Sequence, residues 1–290
     1  MIMRTTPLPR FAAALLASCF TAAGAASAPS TPPAAELRNH LGRPTLFVND
    51  APLPIAAYSP AGFGNRAIFE KELSHFLDQP LSTWFICLGG AVQPAGEPSD
   101  FWATPFWRGD EISAVPHAEF NLPPDEQADA ILAKQPDAFF FVRFSLREPE
   151  SWRKLHPDDL VVTDAGETLP HPSLASEAFW NGCADYAAAA IRYSEGRPWA
   201  HRIVGYADFL RLEGTHEPML HNALFDHGPA MTARWRKHLR ETYGTVEKLR
   251  AAHGDPSLTF DDARVPDDRL FGKAADVAAL RYWQTAAENR

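Results

Sequence analysis

Four largely apolar runs, at 54–58, 83–88, 138–144 and 203–206 with Phe209 and Leu210 beyond, constrain this 290-residue chain more than any other feature. In the third, Phe139, Phe140, Phe141 and Val142 follow one another without a polar break and lead into Arg143. A strand with no polar face is covered on both sides, which is the condition of a strand in a parallel sheet flanked by helices. Segments with helical spacing separate the runs. Ile68, Leu73, Phe76 and Leu77 share one face within 65–77, and 176–193 is rich in alanine. The segment 125–134 follows Pro123 and Pro124, with Asp125 placed to cap it. Residues 231–243 and 245–252 read as two consecutive helices, and 274–287 as a last one. Strand, helix, strand, helix predicts an α/β fold with a parallel sheet.

The runs end at breaks followed by long irregular stretches. Gly89-Gly90 opens the stretch 91–124, Ser145 opens 145–172, and Gly214 breaks the fourth run just before Glu217. In a (β/α)8 barrel, the loops after the strands build the active-site face. About four βα units are present where a closed barrel takes eight. The expected architecture is therefore a partial (β/α)8 TIM barrel over 43–290, preceded by a short hairpin turning at Asn49-Asp50. Such a half barrel leaves strand edges and an apolar interior uncovered, which predicts self-association or poor solubility.

Upstream of the fold, Arg4 and Arg10 make a basic region before an apolar stretch at 11–25 that is too short to span a bilayer. With Ala26-Ser27-Ala28 as a cleavage site, 1–28 reads as an export signal, and Leu16-Ala17-Ser18-Cys19 offers the alternative of a lipid-bearing Cys19. The Pro- and Ala-rich 29–42 reads as a flexible linker. No later segment is long enough to cross a membrane. The location that follows is periplasmic or extracellular. Only Cys87 and Cys183 remain in the mature chain, each in an apolar setting that predicts a buried free thiol. A net charge of −9 leaves no basic stripe for nucleic acid.

Three stretches carry a resemblance to a known family. The first is Gly42-Arg43-Pro44-Thr45-Leu46-Phe47-Val48-Asn49 followed by 54–58. The second is 143–167 with Arg143, Pro149, Trp152, His156-Pro157 and Gly166. The third is Arg234-Trp235-Arg236-Lys237-His238-Leu239-Arg240 with Tyr243-Gly244-Thr245 and Leu249. Together they resemble the N-terminal half of the catalytic barrel of glycoside hydrolase family 42, the β-galactosidase-like enzymes. The resemblance implies hydrolysis of β-galactosides or related β-glycosides, with no cofactor. It also implies an acid/base carboxylate at the end of the fourth strand, a place that Glu217 matches. The family often has Asn just before that Glu, where this chain has His216. The nucleophile is implied at the end of a seventh strand, which is not in this sequence.

The chemistry asks for two carboxylates flanking the scissile bond. Asp110 and Glu111 are the internal candidates for the second. Arg143 offers fixed donors for sugar hydroxyls or for a salt bridge at a strand end. Trp102, Trp107 and Trp152 could stack on sugars or pack within their loops, and His216 adjoins the acid. A zinc site at His216, Glu217, His221 and His227 fails the one-turn H-E-x-x-H spacing because residue 220 is leucine. No metal is expected. The alternative to an enzyme is a truncated, non-catalytic barrel that binds glycan or is vestigial.

Overall fold

The computed structural model describes residues 31–53, 56–60, 65–76, 78–79, 81–89, 104–117, 119–209 and 226–266. The export signal, Cys19 and the last expected helix at 274–287 lie outside them. Strands β1 (Ala35–His40), β2 (Arg43–Val48) and β3 (Ala51–Leu53) form an antiparallel sheet in that order. Its second turn is Asn49-Asp50, both at positive φ (49° and 66°), the geometry that matches the twist of a tight hairpin. Its first turn, Leu41-Gly42, uses positive φ at both residues as well (52° and 78°). The first strand among the described residues thus begins at Ala35, inside the stretch expected to be linker up to residue 42. The reason lies in pairing rather than composition. The backbone of β1 is held by β2 from Ala35 opposite Val48 to His40 opposite Arg43. The Arg38 guanidinium bonds Glu36 and Asp50 and lies 4.9 Å from the centre of the Phe47 ring.

The second layer contains β4 (Ala57–Tyr58), α1 (Arg66–Phe76), β5 (Thr83–Leu88), the small hairpin β6 (Trp107–Arg108) and β7 (Glu111–Ile112), and α2 (Pro124–Leu132). It continues with β8 (Phe139–Ser145), α3 (Glu150–Leu155), β9 (Leu160–Val162), β10 (Thr168–Pro172), α4 (Glu177–Glu195) and β11 (Ile203–Phe209), followed by α5 (Pro229–Tyr243) and α6 (Val246–His253). β4, β5, β8 and β11 make one parallel sheet in chain order. Neighbours that are also consecutive, joined by helices, are repeated βαβ units. Among the described residues this sheet has four strands and does not close on itself. No helix among them is long and apolar enough to cross a membrane.

Alternation along the strands gives the sheet two faces. Trp84, Ile86, Leu88, Phe140, Val142 and Phe144 join the helices in the main core, against Phe69 and Leu73 of α1, Ala128 and Ile131 of α2, and Phe179 and Tyr186 of α4. Burying each large side chain of this set contributes about 2–3 kcal/mol. On the other face, Phe139 and Phe141 pack with Leu46, Val48 and Leu53 of the N-terminal sheet and with Val204. That sheet therefore covers the N-terminal part of the inner face and leaves Cys87, Arg143 and Ser145 at its C-terminal end. The runs expected at 83–88 and 138–144 are strands on both counts. Of the run at 54–58 only Ala57–Tyr58 is strand, and 54–55 lie outside the described residues.

α4 starts where expected, with the Ser176 hydroxyl accepting from the Phe179 amide at 3.0 Å. Its Gly182 is required by a close approach. A Cβ there would lie 2.4 Å from Cζ2 of Trp107, whose indole rests on the helix. α5 and α6 pack as a separate cluster through Met231, Trp235, Leu239 and Leu249, joined by Ala263 and Val265.

α2 corrects one expectation. Asp125 does not cap it; the helix is preceded by Pro123 without a side-chain cap bond. Instead Asp125 accepts from Arg197 through both carboxylate oxygens and from the Trp199 indole at 2.8 Å, tying α2 to the end of α4. Burial alone would raise its pKa, but these hydrogen bonds and the Arg197 charge outweigh burial and hold it below the ordinary carboxylate range. A depressed folded pKa contributes stability above the unfolded value near 3.8, and that contribution is lost as pH falls through the folded pKa. The pair is about one-third exposed, which weakens it by solvent screening. Asp125→Ala is expected to cost about 1–2 kcal/mol in urea unfolding at pH 7. The deficit should shrink as the pH is lowered through the carboxylate range; a deficit constant from pH 7 to pH 3 would show that the charge is irrelevant.

Candidate active site

Arg143 sits near the C-terminal end of β8, in register with Cys87 on β5 and Ala207 on β11. It is 9% exposed, and its Nη1 donates to Ser59 Oγ at 2.9 Å, just past the end of β4. The guanidinium thus reaches across β5 on the inner face and links the ends of the first and third parallel strands. Burial pulls the Arg143 pKa below its ordinary value, and the neighbouring Cys87 acts in the opposite direction. An arginine still stays charged throughout the working pH range.

Cys87 cannot be the reacting group. Burial pushes its thiol up to about 12, and the adjacent Arg143 only partly offsets this. A thiol that titrates so high is not a nucleophile near neutrality. Cys87 and Cys183 are both buried and free, as expected.

Gln127 holds this corner in place. Its Oε1 accepts from the Cys87 amide at 2.9 Å, and its Nε2 donates to the carbonyls of Cys87 and Leu122, both at 3.0 Å. The paired residues of β4 end at Tyr58 opposite Trp84, so the Gln127 amide serves Cys87 as a further strand would.

Two of the three candidate aromatic platforms are buried. Trp107 and Trp152 are 3% and 2% exposed. Trp107 stacks on Phe179 and Trp152 on His156, with ring planes 21° and 19° apart. The loops carrying them fold back into the helical core, and packing rather than sugar stacking is their role in this fold. Trp102 lies outside the described residues. Asp110, in the β6–β7 turn, is engaged with His156, whose Nε2 lies 2.6 Å from its Oδ1, and Glu111 is exposed on β7.

Glu217, His216 and His221 also lie outside the described residues. Of the histidine-rich segment, only His227 is described, and its amide donates to the Val162 carbonyl at 2.8 Å. Among the described residues no three His, Cys, Asp or Glu side chains are grouped to hold a metal.

Sequence reasoning passed over Asp226. It is 4% exposed, and its Oδ1 accepts from the amides of Gly228 at 2.8 Å and Val162 at 3.3 Å. Burial pushes its carboxyl above the ordinary range, against the Ser173 hydroxyl and the Gly228 and Val162 amides that bond it. The available signal was Asp226-His227-Gly228-Pro229, an Asp two residues before a Gly at a helix start, where an Asx turn is common.

No protein-family model and no curated protein matches the sequence. Solved structures do. The chain is similar to the β-galactosidase of the psychrophilic Marinomonas ef1, with 17% identity and a TM-score of 0.53, over 80% of this chain and 32% of that one. It is also similar to the β-galactosidase of Halorubrum lacusprofundi (15% identity, TM-score 0.49, 81% of this chain and 32% of that). A third match is that of Bacillus circulans sp. alkalophilus (13%, 0.47, 81% and 34%). The likeness is one of fold. The chain spans about a third of the length of these structures. The α/β fold is thus shared with the first of these, and the C-terminal ends of β4, β5, β8 and β11 form the face where parallel sheets of this kind place their ligands.

Proposed function

We propose that this chain carries the acid/base part of a glycoside hydrolase site acting on β-galactosides or related β-glycosides. In this reading the four parallel strands are the first βα units of a (β/α)8 barrel, and residues 1–28 direct export. The observation that carries it is the position of Arg143, buried at the C-terminal end of the sheet and joined to Ser59, in a fold shared with a β-galactosidase. Glu217 follows the fourth strand and is the general acid, giving its proton to the leaving oxygen and then acting as base toward water. Arg143 and His216 contact sugar hydroxyls. The nucleophilic carboxylate comes from outside the four strands, at the end of the seventh strand that the resemblance implies; of the internal candidates, Asp110 is engaged with His156.

That engagement also favours a second reading, a glycan-binding protein without turnover. The full native polypeptide, assayed on nitrophenyl β-D-galactoside and other nitrophenyl β-glycosides with galactose titrated calorimetrically in parallel, separates the two. Turnover supports the hydrolase, binding without turnover supports the second reading, and neither signal removes both. The N-terminal residue of the mature protein, Pro29 after simple cleavage or a lipid-modified Cys19, checks the export reading.

A further inference from the structure

The N-terminal sheet ends in an exposed strand. β1 pairs with β2 on one side, and among the described residues no strand pairs with its other side. All its residues but Arg38 are exposed. Sheet edges are commonly blunted by proline, lysine or a bulge. From Ala35 to His40 there is neither proline nor lysine, and the register with β2 runs without a break. Leu37, near the middle, is 70% exposed, and Leu41 in the turn is 90% exposed. Leu37 stands opposite Leu46, and Leu46 opposite Leu53, so a row of leucines crosses the sheet. Leu46 and Leu53 pack on the parallel sheet, and at β1 the row runs past that cover.

The backbone fixes how a further strand can add. His40 and Arg43 flank the two-residue turn Leu41-Gly42 and so form a hydrogen-bonded pair. Glu36 and Arg38 share that parity and turn their backbone groups toward β2, as does Ala34, whose carbonyl accepts from the Asn49 amide at 2.9 Å. Ala35, Leu37 and Asn39 therefore point their amides and carbonyls outward. A second β1, added antiparallel about a two-fold axis, can be centred on Glu36, Leu37 or Arg38; centring farther out leaves most of the strand unpaired. Centred on Glu36 or on Arg38, it sets identical charges against each other, which destabilises a strand pair. Centred on Leu37, it sets Leu37 against Leu37, and Glu36 of each copy against Arg38 of the other. Both of those charged side chains are well exposed (57% and 40%). We propose that β1 is a self-association edge that takes the β1 strand of a second copy of this chain, antiparallel and in the Leu37-centred register. The outward residues then exchange about six backbone hydrogen bonds, and two three-stranded sheets become one. A single strand pair is smaller than a standard interface, so the dimer is reversible and depends on concentration.

Analytical ultracentrifugation of the full polypeptide across the micromolar range tests this by charge reversal. Glu36→Arg alone sets arginine against arginine across the axis, and Arg38→Glu alone sets glutamate against glutamate. Mixed, the two variants oppose arginine to glutamate at both places. The expected result is a wild type that dimerises reversibly, with a Kd at least about tenfold weaker for each variant alone and back within about threefold of wild type in the mixture. Leu37→Pro removes an outward donor without touching the bonds to β2, and should leave a monomer. Amide exchange of peptides covering 43–53 shows whether each variant keeps the hairpin. If Arg38→Glu loses it, through the contacts of Arg38 with Asp50 and Phe47, then Glu36→Arg and Leu37→Pro decide. A wild type that stays monomeric overturns the proposal. So does a dimer that folded Glu36→Arg and Leu37→Pro leave intact, since association would then lie at another edge, such as that of the parallel sheet. Folded charge variants that stay monomeric when mixed overturn the register, and the proposal with it.

Discussion

Glu217→Gln is expected to lower turnover of an unactivated β-galactoside by about a thousandfold or more while leaving unfolding unchanged. The size follows from what the acid supplies. Positioned proton transfer contributes about 10²–10⁴ in rate, and an alkoxide leaving group needs all of it. The loss should be smaller on nitrophenyl β-D-galactoside, whose leaving group departs with little help. On that substrate the same side chain is needed chiefly as base in the second step, to activate water against the glycosyl–enzyme bond. An external nucleophile that needs no base, such as azide, should therefore restore part of the turnover on the nitrophenyl substrate and none on the unactivated one. Equal losses on both substrates, with no azide effect, would assign Glu217 to binding or structure. Near-normal turnover on the unactivated galactoside would remove it from the acid role.

How far the sequence alone could be read follows from which forces decide each part. β5, β8 and β11 were legible because a strand covered on both faces is written as an apolar run, from Phe139 to Val142 in β8 and from Ile203 to Tyr206 in β11. α4 was legible from its alanines, and the Ser176 cap was not read. β1 was not, because Ala35 to His40 carry no alternation and owe their form to pairing with β2 across a Leu41-Gly42 turn. The hairpins β6–β7 and β9–β10 were missed for a related reason. Two or three residues in β6, β7 and β9 are too few to show a period, the five of β10 are interrupted by two prolines, and long-range contacts such as the Gly109 amide to Ser151 Oγ at 2.8 Å help fix the first hairpin. The candidate site divides the same way. Arg143 was visible as a charge ending an apolar strand. Trp107 and Trp152 stayed open between stacking and packing because an indole in a loop looks the same whether the loop stands out or folds back on α4. Asp226 and Gln127 are polar residues whose worth lies in backbone partners far along the chain, and such partners leave no local pattern.

Gln127→Ala is expected to be among the most destabilising single substitutions in the chain. One amide satisfies the Cys87 N–H, the Cys87 carbonyl and the Leu122 carbonyl, with Gln127 itself 1% exposed. Each buried backbone group left without its partner costs about 1–3 kcal/mol, so losing all three partners should cost about 3 kcal/mol or more. A domain typically has about 5–15 kcal/mol in total, so this is a large fraction of what holds it together. Gln127→Glu isolates the hydrogen-bond logic from the volume. A glutamate can accept from the Cys87 amide, but it can donate to either carbonyl only when protonated, so the folded state raises its pKa above the unfolded value of about 4.3. A raised folded pKa gives stability that is present below the unfolded value and lost as pH rises through the folded one. Urea unfolding of Gln127→Glu should therefore show a deficit at pH 7 that narrows toward pH 5, whereas Gln127→Ala should stay low at both. Because the same amide holds the strand edge beside Arg143, loss of sugar binding should accompany loss of stability in the alanine variant and recover with acidification in the glutamate variant. A Gln127→Ala protein within about 1 kcal/mol of wild type would mean that water replaces all three bonds, and the corner around Cys87 would then be wet rather than sealed.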